Sequence, residues 1–228
     1  MESTVSVTDI HLRKLLTLMF AAKPQLVSIL RHEIRSQIKK DRGLSAGGGD
    51  FYGPFWRDAK DHANGGSDLR STTMARIAAD PKRTRLYQLL QRGFLEWWNV
   101  RRRWTNEDPT SQLLSVKGSL MLPDIGCKVK VENLLATTIG NSSNRVIYPY
   151  FSETPELEPI AARLGLWVMG ECITDFPREE FRILDVMRGQ SYSIADVPFQ
   201  GNESVDFRRR YAEIVAVWSE LWKEYESA

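Results

Sequence analysis

Cysteine and histidine are scarce in this chain of 228 residues, which holds two of the first and three of the second. Cys127 and Cys172 are not in CxxC spacing, so the pair offers neither a disulfide framework nor a thiolate metal knuckle. Both read as reduced structural residues of a cytoplasmic protein. His11, His32 and His62 show no HxH or HxxxH spacing, which leaves no histidine zinc motif. No apolar run approaches the ~18 residues needed to cross a bilayer, so a membrane is not an expected partner. Met1–Thr8 has no basic stretch ahead of an apolar one, and no secretory leader is expected. Gly47, Gly48 and Gly49 follow no strand and precede no Gly-Lys-Ser/Thr, so they form no phosphate-binding loop. No nucleophile elbow is visible either.

A hydrophobic share of 42% and a charged share of 26% suit a globular chain long enough to bury a sizeable core. The net charge of +2 hides an asymmetry. Residues 1–105 carry 19 Lys and Arg against 10 Asp and Glu, a net +9, and the remainder carries 12 against 19, a net −7. Such polarity implies a charged partner, either nucleic acid or the acidic surface of a protein, or attraction between the two halves or between two copies.

In chain order, Thr8 or Asp9 caps a first helix through Phe20, and Pro24 opens a second that ends near Gly43. Arg31, Arg35 and Lys39 recur every four residues of the second helix, as a solvated face or a phosphate-tracking stripe. The segment Phe51-Tyr52-Gly53-Pro54-Phe55-Trp56 reads as an aromatic loop plugged into the core, and His62 as a polar loop residue. A helix starts at Ser67 or Asp68 and ends before Pro81. A longer one follows with Leu86, Leu89, Leu90, Phe94, Trp97 and Trp98 at core spacing. Lys82, Arg83 and Arg85 precede it, and Arg101, Arg102 and Arg103 follow it beside Trp104. The macrodipole accounts for one or two arginines at a helix end, each ~0.3–1 kcal/mol. It does not call for three, so these two clusters are the candidate nucleic-acid contacts.

After a polar linker from Asn106 to Gln112, residues 113–122 form a strand. Val129 and Val131 alternate with Lys128, Lys130 and Glu132, and this strand pairs as a hairpin with Arg145–Phe151 across Gly140–Asn144. Glu158-Pro159 begins a helix, Phe181–Met187 returns as a strand, Ser191–Val197 follows a Gly189 turn, and Asn202 caps a long final helix. The fold class is therefore α/β (α+β): a mixed central sheet of four to five strands flanked by helices, with a helical N-terminal half. The expected divisions are a helical pair over 1–45, an aromatic loop and helices with basic clusters over 46–112, and a mixed-sheet core with a closing helix over 113–228.

The order strand, strand, helix, strand, strand and closing helix over roughly 115–225, behind leading helices, resembles the RecB-like branch of the PD-(D/E)XK nuclease superfamily. The resemblance lies in element order rather than motif identity. It implies an acid on one strand and an acid-x-lysine triplet on the next, the acids holding Mg²⁺ and the lysine polarising the attacking water. The first acid falls on Glu132 or Asp124. The triplet falls on Tyr148-Pro149-Tyr150, which has neither acid nor lysine; Glu153 and Lys130 are the nearest substitutes. Pro149 also cannot donate to a ladder in what should be a central strand. The resemblance therefore implies a degenerate, non-cleaving relative that contacts nucleic acid, or a complex that handles it, through its basic half, with no cofactor. One alternative is an active nuclease with a migrated motif, using Asp124, Glu132 and Glu153 for Mg²⁺ and Glu132, Glu153 and Lys130 for catalysis. Another is an interaction module or homodimer without an active site, built on Trp97, Trp98, Trp218 and Trp222.

Overall fold

The computed structural model describes residues 7–44, 51–102, 109–111, 116–139 and 143–226; Arg103 and the triple glycine lie outside the described residues. The chain runs β1 (Asp9–His11), α1 (Leu12–Phe20), α2 (Lys23–Asp41), α3 (Tyr52–Ala63), α4 (Leu69–Ala79) and α5 (Thr84–Glu96), which continues into a π turn at Trp97–Arg101. It goes on through β2 (Pro109–Ser111), β3 (Gly118–Leu122), β4 (Cys127–Val131), β5 (Leu135–Ile139) and β6 (Ser143–Tyr150). Then come α6 (Pro159–Cys172), β7 (Phe181–Asp185), β8 (Gln190–Tyr192) and α7 (Glu203–Glu226). Among the described residues no helix is long and apolar enough to cross a membrane.

The fold is α+β, and its strands form two mixed sheets rather than one. A five-stranded sheet has the order β2-β5-β6-β7-β8, and a three-stranded one the order β1-β4-β3. In the large sheet β6 and β7 are parallel neighbours joined through α6, and the other pairs are antiparallel. Its two faces are covered separately. Val146, Tyr148, Tyr150, Phe181 and Ile183 point into a core shared with α1, α6 and α7. Ile147, Phe151, Leu184 and Val186 point into a second core shared with α3, α4 and α5. Strand β7, covered on both sides, buries all five of its side chains, the continuous burial expected of a strand between two helical layers.

Four segments differ from what the sequence alone suggests. Asp9–His11 is not a helix cap but a strand, because it pairs in parallel with Lys128–Lys130. The aromatic segment is a helix: Pro54 stands in the first turn of α3, where its missing N–H breaks no intrahelical bond. Pro109–Ser111 is not linker but a short edge strand on β5, a position that tolerates proline. Finally, the hairpin partner of β6 is β5, not the Lys128–Lys130 strand, which pairs with β3 in the smaller sheet.

The switch between sheets happens at Asn133, the one non-glycine residue with positive φ among those described, at 64°. Asparagine tolerates this left-handed conformation better than most residues. The Trp56 indole N–H from α3 donates to the Asn133 carbonyl and anchors the turn. Pro149 is explained by the same departure. Strand β5 accompanies β6 only from Ser143 to Ile147, so at Pro149 the ladder continues on the β7 side alone.

Candidate functional site

Two polar concavities among the described residues involve the candidate side chains, one along α5 and one beside β1 and β4. The larger is an open groove of about 750 Å³ along α5, lined by Lys82, Arg85, Gln88, Leu89 and Arg92, with Glu153 closing it from the loop after β6. Arg85, Leu89 and Arg92 fall at the three- and four-residue spacing that puts side chains on one helical face, and Lys82 precedes them in the 3-10 turn Pro81–Arg83. Helix α5 turns its other face inward, burying Tyr87, Leu90, Gly93 and Phe94, and so holds the cationic row outward. Lys82 and Arg92 are exposed and make no side-chain ion pair among the described residues.

Most of the expected basic contacts are engaged internally. Arg83 Nε sits 3.1 Å from the Asp80 carboxylate, its Nη1 donates to Tyr87 Oη at 3.0 Å, and its guanidinium lies over the Phe51 and Tyr87 rings. Arg101 pairs with Glu96 and donates to the carbonyls of Arg188 and Gly189. Arg102 stacks on the Trp98 ring, 4.0 Å from its centroid, and donates to the Trp98 carbonyl. It also lines a 20 Å³ cavity with Arg145, Arg182 and Trp97. There burial, with the charge of Arg145 added, pushes the Arg182 guanidinium down to about 10. Arg85 grips Glu153 through both terminal guanidinium nitrogens, Nη1 and Nη2. That hydrogen bond, with the charges of Arg85 and Arg188 behind it, holds the Glu153 carboxyl below the usual glutamate range.

The smaller concavity, about 130 Å³, opens where the chain passes from β4 to β5. It is lined by His11, Arg13, Glu132, Asn133, Tyr148 and Pro149. Parallel pairing of β1 with β4 brings His11 here: its Nδ1 stands 3.9 Å from Glu132 Oε2. Burial lowers the His11 pKa despite the Glu132 charge. Tyr148 Oη, buried, accepts the Arg13 backbone N–H at 2.8 Å and so caps the first turn of α1 in place of a local side chain. Burial pushes the Tyr148 hydroxyl up to about 12, against the Arg13 amide bond and charge. The Arg13 guanidinium lies 5.6 Å from the centroid of Tyr52 and 5.1 Å from that of Phe151.

The acidic candidates take separate partners. Asp124 pairs with Arg208 of α7, Glu132 faces His11, and Glu153 pairs with Arg85. Lys130 Nζ lies 2.7 Å from the Asp9 carboxylate. Among the described residues no group of three or more His, Cys, Asp or Glu stands together as a metal site. Arg92, Arg13 and His11 escaped sequence reasoning. Arg92 was within reach of it, standing seven residues after Arg85, whereas His11 and Glu132 are joined only by the fold. No family model matches the chain, and no curated protein matches it.

Proposed function

We propose that this protein binds nucleic acid by its sugar–phosphate backbone, along the α5 groove. The observation that carries this reading is the outward row Lys82, Arg85 and Arg92, with Glu153 the one carboxylate among the described residues that line the groove. Cations spaced along one helical face suit phosphates better than a compact ligand, because a backbone offers charges in series. The surface is thus centred on α5 rather than on Arg101–Arg102, whose guanidiniums hold the end of the π turn. Glu153 works against binding, since it occupies Arg85 and repels phosphate.

Two variants move affinity in opposite directions. Lys82→Ala with Arg92→Ala leaves every described ion pair intact and removes two phosphate contacts. At about 1 kcal/mol for a unit charge pair at ~4 Å in water, affinity falls roughly tenfold or more. The slope of log affinity against log salt becomes shallower by about 1.4 for a single strand. Glu153→Gln frees Arg85 and tightens binding severalfold at pH 7. The depressed Glu153 carboxyl sets the pH dependence. The Arg85–Glu153 pair is fully present above the ordinary glutamate value and is lost as pH falls through the lowered one, so the wild type approaches Glu153→Gln in acid. Fluorescence anisotropy of a labelled oligonucleotide across a salt series reads all of these. Binding that is absent, or indifferent to salt and to both variants, overturns the proposal.

A further inference from the structure

We infer that the pocket of His11, Arg13, Glu132, Asn133 and Tyr148 receives a ribose, so that the strand held along α5 is RNA. This rests on the backbone-binding reading and adds the class of nucleic acid. The pocket's groups match a neutral polyol better than a phosphate. Glu132 is a half-exposed carboxylate whose described partner, His11 Nδ1, lies at 3.9 Å, beyond hydrogen-bond length. Both of its oxygens are therefore acceptors in search of donors, and a phosphate brought here would meet their charge. Tyr148 is only 3% exposed. Its hydroxyl already accepts the Arg13 amide, and its own proton has no acceptor among the described residues. The Asn133 side chain can donate and accept. One carboxylate, one hydroxyl donor and one amide around a small space are what vicinal hydroxyls require. A carboxylate reading a ribose 2′-hydroxyl is a recurring solution to that problem, and the 2′-hydroxyl is what separates RNA from DNA. The volume agrees. About 130 Å³ holds about four waters at ~30 Å³ each, room for one sugar.

A relay of contacts leads from the pocket toward the groove. Arg13 reaches from the pocket over the Tyr52 and Phe151 rings, which stack at 5.1 Å. Two residues beyond Phe151, Glu153 closes the groove against Arg85. A strand with phosphates on Lys82 and Arg92 therefore runs toward the pocket past Arg13, which supplies a cation for the phosphate next to the bound sugar.

The test measures binding of one labelled single-stranded sequence, made as RNA and as DNA, to the wild type and to Glu132→Ala, with circular dichroism confirming that the variant is folded. The expected result is an RNA preference of about tenfold, the scale of a hydrogen bond to a charged group, which Glu132→Ala abolishes without weakening DNA binding. Equal wild-type binding of RNA and DNA, or a loss on both in Glu132→Ala, overturns the inference and leaves the backbone reading standing. Absence of salt-sensitive binding to either strand overturns both. Adenosine monophosphate alone serves as the control for a free ribonucleotide. If it binds in a Glu132-dependent way while the oligomer shows no RNA preference, the pocket takes a metabolite and the inference about the strand is wrong.

Discussion

Gly93→Ala is expected to destabilise the protein by about 3 kcal/mol, although the same exchange on a solvent-facing helix stabilises by up to ~1 kcal/mol. Gly93 is a buried residue of α5, packed directly on the turn after β7. An added Cβ would stand 2.6 Å from the Met187 carbonyl oxygen and closer still to that of Val186. Both obstacles are backbone, so no side-chain rotation relieves them, and α5 must lift from the sheet. The approach is reciprocal. Gly189, at φ +61°, would place its own Cβ 2.5 Å from the Gly93 carbonyl, and it needs the left-handed conformation besides. Urea denaturation measures the effect. A midpoint for Gly93→Ala equal to or above the wild type's would mean that this close approach does not hold α5 in place.

Glu203→Ala is expected to cost about 3–5 kcal/mol, while Arg163→Met stays within about 1 kcal/mol of the wild type. The two side chains form a buried pair that ties α6 to α7, with Arg163 Nε 3.3 Å from Glu203 Oε1, though not aligned for a hydrogen bond. The partners depend on each other unequally. Glu203 opens α7, where the helix dipole favours a negative charge, and it accepts the Gln200 and Gly201 amides at 2.7 and 3.0 Å. Arg163 has Glu203 as its sole charged partner among the described residues. Removing the acid therefore strands a buried guanidinium, whereas removing the base leaves a carboxylate still held by amides. Burial alone would raise the Glu203 carboxyl, but those amides and Arg163 outweigh it and hold it below the usual range. Its contribution is present above the unfolded value and fades as pH falls through the depressed one, so the gap between wild type and Glu203→Ala narrows in acid. Equal losses for the two variants at pH 7 would refute the unequal dependence.

What the sequence announces and what it conceals divide along the range of the interactions involved. Helix α7 carries Phe207, Tyr211, Ile214, Trp218 and Leu221 on one buried stripe, and α6 is framed by Pro159 at its start. Such periods and caps act within a few residues and can be read directly. The paired strands β6 and β7 around α6 follow from them. Helix α3 was hidden because Gly53-Pro54 signals a turn everywhere except in a first helical turn. Strand β1 was hidden because three residues carry no period, and it exists through pairing with a segment 119 positions later. The same pairing creates the polar pocket. No local spacing reveals that His11 meets Glu132, and the lack of a histidine motif argued against His11 altogether. The basic clusters were legible as composition. Which arginines are engaged was not, since Arg85 meets Glu153 and Arg101 meets the Gly189 carbonyl only once distant segments are brought together.

Strand β7 lies beneath both helical layers, and neither can be peeled away without wetting its amides. Breathing motions that loosen α2 or the β1 edge leave it untouched, so β7 opens only when the molecule as a whole does. A strain introduced among α3–α5 is thereby felt by α6 and α7 through a strand that belongs to both.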